Sequence, residues 1–403
     1  VISEEQLKEK ILGRMDLSRE VEDEELQELI FRVLEEESRG EYISLGMRAK
    51  LGKELFNAFR KLDLLQELIE DEDITEVMIN GVQNIFVEKQ GKLYLTDRHF
   101  LSREKLEDVI QQIVAGTNRL VNEATPIVDT RLPDGSRVNV VLYPVALNGP
   151  IVTIRKFPKE RITMGRLVAL GALSEELAEV LKKLVAAGYN IFISGGTGSG
   201  KTTMLNALSQ YIPKDERIIT IEDNAELQIS DVPNLVRLEA RNANVEGVGE
   251  ITIRDLIRSA LRMRPNRVIV GEVRGPETID MLQAMSTGHK GSLSTGHSDS
   301  PRDMLRRLET MVLMGMDIPL AAIQRQIASA IDIIIHIGRL WDKSRKVLEV
   351  VEVLDYNGEE IDTRVLYRFE ETGKRGERVI GEWRKVQDLA NKAKLLSAGY
   401  QTL

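Results

Sequence analysis

The chain has no cysteine in its 403 residues. That excludes a disulfide framework, thiolate catalysis and cysteine-ligated metal, and it is compatible with a reducing cytoplasm. Aromatic residues are scarce at 4%, and acid exceeds base to give a formal net charge of -9. Duplex binding draws on a strong basic footprint and single-strand binding on aromatic stacking platforms, so neither feature suits a dedicated nucleic-acid binder. No apolar run approaches the ~18 residues of a membrane span. The stretch Ile331 to Ile337 is interrupted by Asp332 and His336. No basic-then-apolar leader opens the chain, and its start at Val1 suggests numbering that begins inside a longer or processed protein. What remains is an ordinary globular composition, 42% hydrophobic and 30% charged, long enough for two or three domains with real cores.

The strongest signal is GGTGSGKTT, from Gly195 to Thr203, directly after the apolar run Tyr189 to Ser194. It spells the P-loop pattern G-x-x-x-x-G-K-[ST] between a strand-like run and a helix-like run carrying Met204, Leu205 and Leu208. Gly195, Gly196, Gly198 and Gly200 let backbone N–H groups wrap phosphates, with Thr197, Ser199 and Thr203 completing the loop. Lys201 is placed to neutralise the outer phosphates and Thr202 to offer a hydroxyl to Mg²⁺. The expected ligand is a nucleoside triphosphate with its metal.

Residues 3 to 60 contain no proline and read as a small helical bundle. Ser3 and Gln6 form a capping box, and Leu26, Leu29, Ile30, Val33 and Leu34 recur at helical spacing before Gly40. The segment is either a solvated helical arm or a docking module. From Asp71 short β-like runs appear (Glu76 to Ile79, Asn84 to Glu88, Lys92 to Thr96), punctuated by Asn80-Gly81 and Gln90-Gly91. A helix from Arg103 to Ala115 and strands Arg137 to Tyr143 and Pro150 to Lys156 complete an α+β domain. After a linker from Pro158, strands and helices alternate, which implies a parallel sheet with ligands at the strand C-termini. The expected domains are 1–61, 62–157 and 158–403.

Arg267 to Glu272 reads as a buried strand ending in an acid. Gly271 stands where many P-loop proteins carry a metal-binding Asp, leaving Glu272 to hold a metal-bound water or polarise the attacking one. Glu222, Asp223 and Glu226 end the preceding strand beside the same site, with Asp223 read as a solvated cap. His289 and His297 lie in a Gly/Ser/Thr segment where imidazoles can sense a γ-phosphate or relay a proton. A zinc site of His289, His297 and Asp299 is conceivable but short of a third strong ligand. His99 and His336 read as ordinary surface or core residues. Arg254, Arg258 and Arg262 form a stripe at four-residue spacing, either a solvated face or an interface.

Together GGTGSGKTT, ERIITIEDNAELQI, TIRDLIRSALRMRPNRVIVGEVRG and TGHKGSLSTGHSDSPRDML resemble the Walker A, Asp box, Walker B and His box of the secretion ATPases. ITEVMINGVQNIFVEK and PIVDTRLPDGSRVNVVLYPVALNGPIVTIRKF are most similar to the CpaF branch, called TadA in tight-adherence pilus systems. The resemblance runs from about Leu62 to Leu340. It implies an α/β fold, a RecA-like P-loop ATPase domain preceded by an α+β N-terminal domain, here with the helical bundle in front, and ATP bound between the domains. It implies a homohexamer at the cytoplasmic face of the inner membrane, acting through pilus platform proteins and not on nucleic acid. Glu226 would orient or deprotonate the attacking water, and Glu272 would support Mg²⁺ or its waters; which one is the base stays open. His289 and His297 would couple phosphate state to closure. Arg137 and Arg155, with Arg131 a weaker candidate, match the family's Arg box, against pairing with Asp129 or Asp134 in their own domain. Gly296 departs from the β-branched residue many relatives carry, which bears on loop stiffness. The alternatives are a type IV secretion ATPase for protein or DNA export, a RecA-like nucleic-acid translocase, and a nucleotide-gated scaffold, the last disfavoured by intact Glu226 and Glu272.

Overall fold

The computed structural model describes residues 4–15, 21–37, 44–89, 91–117, 119–157, 162–241 and 249–403. Ser3 of the capping box, Gly40, Gln90 and Pro158 lie outside them. The chain divides into two compact units, Val1–Lys159 and Glu160–Leu403.

The first unit opens with α1 (Glu4–Leu12), α2 (Asp23–Glu37) and α3 (Leu45–Arg60). Their apolar stripes meet in a shared core of Leu7, Ile11, Leu26, Ile30, Val33, Leu34 and Leu55, because residues three and four apart share a helix face. Ser44 starts α3 by accepting a hydrogen bond from the Met47 N–H at 3.2 Å. Next come α4 (Leu64–Glu70), β1 (Ile74–Asn80), β2 (Asn84–Lys89), β3 (Lys92–Leu95), α5 (Arg103–Ala115), β4 (Ile127–Arg131), β5 (Arg137–Val141) and β6 (Ile151–Arg155). The six strands form one antiparallel sheet in the order β3-β2-β1-β6-β5-β4. Residues alternate between faces, so Val77, Ile79, Val138, Val140, Val152 and Ile154 point to one side. There they pack with Leu106, Ile110 and Ile113 of α5. The opposite face is mixed, with Met78, Phe86, Val141 and Ile151 beside charged and polar residues.

The second unit contains α6 (Met164–Ala169), α7 (Glu175–Ala186), β7 (Ile191–Gly195), α8 (Lys201–Ser209), β8 (Ile218–Glu222), β9 (Leu235–Glu239), α9 (Ile253–Ala260) and β10 (Arg267–Val270). It continues with α10 (Glu277–Ser286), β11 (Leu293–Gly296), α11 (Pro301–Gly315), α12 (Leu320–Ala330) and β12 (Ile333–Arg339). The chain closes with β13 (Arg345–Tyr356), β14 (Ile361–Arg375), β15 (Arg378–Lys385) and α13 (Ala393–Ser397). Its sheet runs β15-β14-β13-β12-β7-β11-β10-β8-β9, parallel from β12 to β9 and antiparallel from β12 to β15. Ile191 and Ile193 pack with α7 and α8, whereas Phe192 packs with α10 and α11 on the other face. Helices on both sides explain why every residue of β7, β8, β10 and β11 is buried.

The N-terminal edge of this sheet is tied together by Asn190. Its side-chain oxygen accepts from the N–H groups of Gly291 (2.8 Å) and Ser292 (3.1 Å), and its amide donates to Met285 O (3.1 Å) and Ala330 O (2.7 Å). One buried amide thus satisfies backbone groups from three segments. The last residues are held to the same edge, where Tyr189 donates to Asn391 O at 2.6 Å and Glu352 accepts from the N–H groups of Ala390 and Asn391. Asn190→Ala strands four buried backbone groups, and it should lower the unfolding free energy of this unit by about 3 kcal/mol. Urea unfolding followed by circular dichroism checks this; a loss under about 1 kcal/mol would contradict the stitching role.

Candidate nucleotide site

The ends of β7, β8, β10 and β11 lie along one edge of the sheet, and β7 sits between β11 and β12, both of which follow it in sequence. Such a point, where the chain leaves one strand toward neighbours on either side, is where open parallel sheets bind ligands. Gly195 ends β7 so close to β12 that a Cβ there would stand 2.3 Å from Ile337 O and 2.7 Å from Ser199 Oγ. Gly200 takes a left-handed φ of 101° and starts α8 with no side chain capping it. Uncapped first-turn N–H groups at the positive end of a helix fit a phosphate, and so does Ser199 Oγ, which is buried without a hydrogen-bond partner. Thr202 and Thr203 stand half-buried on the first turn of α8.

Lys201 is 7% exposed. Its ammonium donates to Gly195 O at 3.1 Å and Gly196 O at 3.0 Å, and lies 3.2 Å from His297 Nδ1. An ammonium only donates, so Nδ1 is assigned as the lone-pair nitrogen and Nε2 carries the proton. His297 Nε2 lies 2.7 Å from Glu272 Oε1, an ion-pair distance without hydrogen-bond alignment. Burial lowers the His297 pKa against the pull of Glu272, and Lys201 and Arg274 lower it further. The ring is therefore neutral at pH 7. Arg274 closes the row by donating to Glu272 Oε2 from both Nη2 (2.5 Å) and Nε (3.0 Å). That pair raises the Arg274 pKa, with Asp223 and Glu226 adding to it. Lys201, His297, Glu272 and Arg274 thus form a continuous row linking three of the predicted motifs.

The acids at the end of β8 divide. Glu222 is 4% exposed, and its Oε1 accepts from the N–H groups of Glu226 (2.8 Å) and Leu227 (2.9 Å). Burial pushes its pKa up to about 7. Asp223 is exposed and Glu226 half-buried on the following loop. Gly271 packs against Glu222, since a Cβ at 271 would sit 2.9 Å from Glu222 Cγ. The glycine in place of the familiar Asp has that steric cause. Gly296 has a similar one, because a Cβ there would meet the Phe192 ring at 3.0 Å and Met304 Cε at 3.1 Å.

His289 lies elsewhere. It precedes β11, at the N-terminal end of that strand, and its Nδ1 is 3.1 Å from Ala284 O. The whole of β11 separates it from His297, so the two imidazoles do not share a site in this unit. Among the described residues no group of three His, Asp or Glu is placed to hold a metal ion, which removes the zinc arrangement. Arg254 and Arg258 both clamp the buried carboxylate of Asp280, at 2.6 and 3.0 Å, so two of the three stripe arginines serve packing of α9 on α10.

Two residues escaped the sequence reading. His336, in β12, sits opposite Ser194 and shares a hydrogen bond with its hydroxyl at 2.9 Å. Burial lowers its pKa, opposed first by the charge of Glu349 and then by a hydrogen bond to the backbone of Asp299. It therefore connects the P-loop strand to the segment after His297, and its only signal was a histidine in an otherwise apolar strand. Arg345 donates from Nε to Gly198 O at 2.8 Å, a contact with no sequence signal. His99 is exposed, as expected of a surface residue.

In the first unit Arg131, Arg137 and Arg155 are register partners on β4, β5 and β6, and the row continues to Glu76 on β1 and Glu88 on β2. Register partners share a face, so three arginines line up on the side of the sheet away from α5. Arg155 Nε is 3.8 Å from Glu76. Asp129 accepts from Asn139 at 2.9 Å, and Asp134 accepts from the N–H and hydroxyl of Ser136.

A P-loop followed by strand-end acids on a nine-stranded, doubly covered sheet defines a RecA-like P-loop ATPase, with an antiparallel α+β unit before it. The profile of the family described as "Type II/IV secretion system protein" matches residues 59–398. The chain belongs to that family and is an ATP hydrolase. It is 34% identical over 301 residues to a putative conjugal transfer protein of Mycobacterium tuberculosis, covering 73% of this chain and 85% of the relative. Conjugal transfer protein TrbB of Rhizobium radiobacter is 31% identical over 312 residues, covering 77% and 93%. In fold, the chain is similar to the pilus retraction motor PilT with bound ADP, with a TM-score of 0.54, 20% identity, and coverage of 84% and 87%.

A carboxyl whose pKa is raised by burial favours the fold while protonated. That contribution is complete below the ordinary carboxyl range and fades as the pH rises through about 7. Glu222→Gln keeps an acceptor and cannot ionise. It should leave thermal stability unchanged at pH 4 and raise it at pH 8 by about 3 kcal/mol. Equal stability of variant and wild type at pH 8 would mean that the carboxyl is not held protonated by burial.

Proposed function

We propose that this chain is the motor ATPase of a CpaF/TadA-type tight-adherence pilus system, working as a homohexamer at the cytoplasmic face of the inner membrane through platform proteins. The observation that carries the chemistry is the row from Lys201 through His297 to Glu272 and Arg274, which joins the P-loop to two other strand ends. The branch assignment rests on the RLPDGSRVN and TIRKF segments, and the oligomer on the arginine row of the first unit.

In this reading the P-loop amides and Lys201 bind the β- and γ-phosphates of ATP. The hydroxyl of Thr202 and the carboxylate of Glu272, with Glu226 close in sequence to the same strand ends, are hard oxygen donors of the kind Mg²⁺ prefers. Mg²⁺ supplies charge neutralisation on the phosphate oxygens. Glu226 orients the attacking water and takes its proton, while His297, neutral and protonated at Nε2, holds Glu272 in line with Lys201. Arg137 and Arg155 supply positive charge to the γ-phosphate as it leaves, the role that arginine fingers play in other P-loop enzymes. The resulting motion drives pilus subunits through the platform. A second reading, export of protein or DNA by a type IV secretion system, is favoured by the relatives named as conjugal transfer proteins.

Steady-state phosphate release measured against protein concentration, with light scattering for mass, tests the proposal. Activity should rise steeply as a hexamer forms, fall by about 10²-fold or more in Glu272→Gln, and ignore single-stranded DNA. A fully active monomer would remove the role of Arg137 and Arg155 across subunits. Strong stimulation by DNA would replace the pilus motor with a translocase.

A further inference from the structure

Glu222 is the one acid of the β8 end that is fully enclosed, and its surroundings are built around it. It ends a strand whose residues are all buried. One carboxyl oxygen takes the N–H groups of Glu226 and Leu227, four and five residues further on. Those two N–H groups belong to the loop that carries the Glu226 side chain. Gly271 at the end of β10 leaves room for the Glu222 stem, since any side chain at 271 would meet Glu222 Cγ at 2.9 Å and Oε1 at 3.5 Å. The same loop is fastened further along, where Asn206 of α8 accepts from the Gln228 N–H at 2.9 Å. The loop is therefore pinned from β8 and from the helix that follows the P-loop.

We propose that Glu222 is a positioning residue: by accepting the backbone N–H groups of Glu226 and Leu227 it fixes the loop so that the Glu226 side chain is aimed at the attacking water. The inference deepens the reading given under the proposed function, in which Glu226 acts on that water. Two features separate this from simple core packing. A side chain kept only for volume would be apolar at a site so deeply buried, because an enclosed carboxyl costs free energy that a leucine does not. The acceptor is also spent on the backbone of the very residue that the chemistry needs. In return, the carboxyl removes two backbone donors from the set a mobile loop would leave unsatisfied, which restricts where the Glu226 side chain can point. Gly271 is then part of the same device, its missing Cβ being the space that Glu222 occupies.

The test is a cycle of variants in the full chain, read as kcat, as KM for ATP, and as affinity for a fluorescent, non-hydrolysed ATP analogue. Glu226→Gln alone should lower kcat by about 10²-fold; if it does not, the reading of Glu226 fails and the cycle ends there. Glu222→Ala should lower kcat by about 30-fold while KM and analogue affinity stay within about 2-fold, the split expected when only transition-state alignment is lost. Glu222→Gln keeps the acceptor oxygen and should recover most of that loss. The double variant Glu222→Ala/Glu226→Gln should be no slower than Glu226→Gln, because Glu222 acts through Glu226. Gly271→Ala, which displaces the Glu222 stem, should reproduce the kcat loss without loss of analogue binding. The proposal is overturned if Glu222→Gln is as slow as Glu222→Ala, if the two single losses multiply in the double variant, or if analogue affinity falls in step with kcat.

Discussion

The second unit is organised around a positive charge taken out of water. Lys201 is almost fully enclosed at the end of β7, and an enclosed ammonium is tolerated only where dipoles and anions answer it. Two carbonyls of the P-loop face it, and an imidazole lone pair stands 3.2 Å away. That lone pair fixes the tautomer of His297, and the tautomer turns the other ring nitrogen to Glu272. Arg274 then anchors Glu272 from the far side. Each member of the row touches the next, so the row runs unbroken from the P-loop to the end of β10.

The same region depends on side chains that are absent. Gly195 lets β7 run against β12, Gly271 gives Glu222 its place, and Gly296 lets β11 pass the Phe192 ring. A methyl group at Gly195 would collide with the β12 backbone, one at Gly271 would displace the Glu222 stem, and one at Gly296 would press on the Phe192 ring. Gly271 is the most telling case. Its position removes the usual strand-end Asp and leaves Glu272, one residue on, as the acid that meets His297.

Much of this was legible in the sequence. The alternation of strand-like and helix-like runs from Ser174 onward marks a parallel sheet, and the P-loop and Glu272 follow from short patterns at strand ends, while His297 reads only as part of a Gly/Ser/Thr segment. The helix read from Arg103 to Ala115 is present with those bounds, capped by Ser102. Other features depend on which strands become neighbours, which no local pattern records. Arg267 reads as the start of a strand, yet it is buried against Glu216 and donates to Val185 O at 2.7 Å. His336 looks like a stray polar residue until β12 is placed beside β7. His289 reads as the twin of His297 because both sit in one Gly/Ser/Thr-rich segment with seven residues between them, but the strand between carries them to opposite ends of the sheet. The arginine stripe of α9 is half explained only when Asp280 of α10 comes under it.

His297 is held between Lys201 and Glu272 as a neutral imidazole protonated on Nε2. Nitrogen-15 NMR of histidine-labelled protein at pH 7 reads this directly, with four histidines in the chain and His297→Gln giving the assignment. For His297 the spectrum should show an unprotonated Nδ1 and a protonated Nε2, with a titration midpoint below that of a free histidine. An imidazolium signature at pH 7, or the opposite tautomer, would mean that Lys201 does not hold the ring through its Nδ1 lone pair.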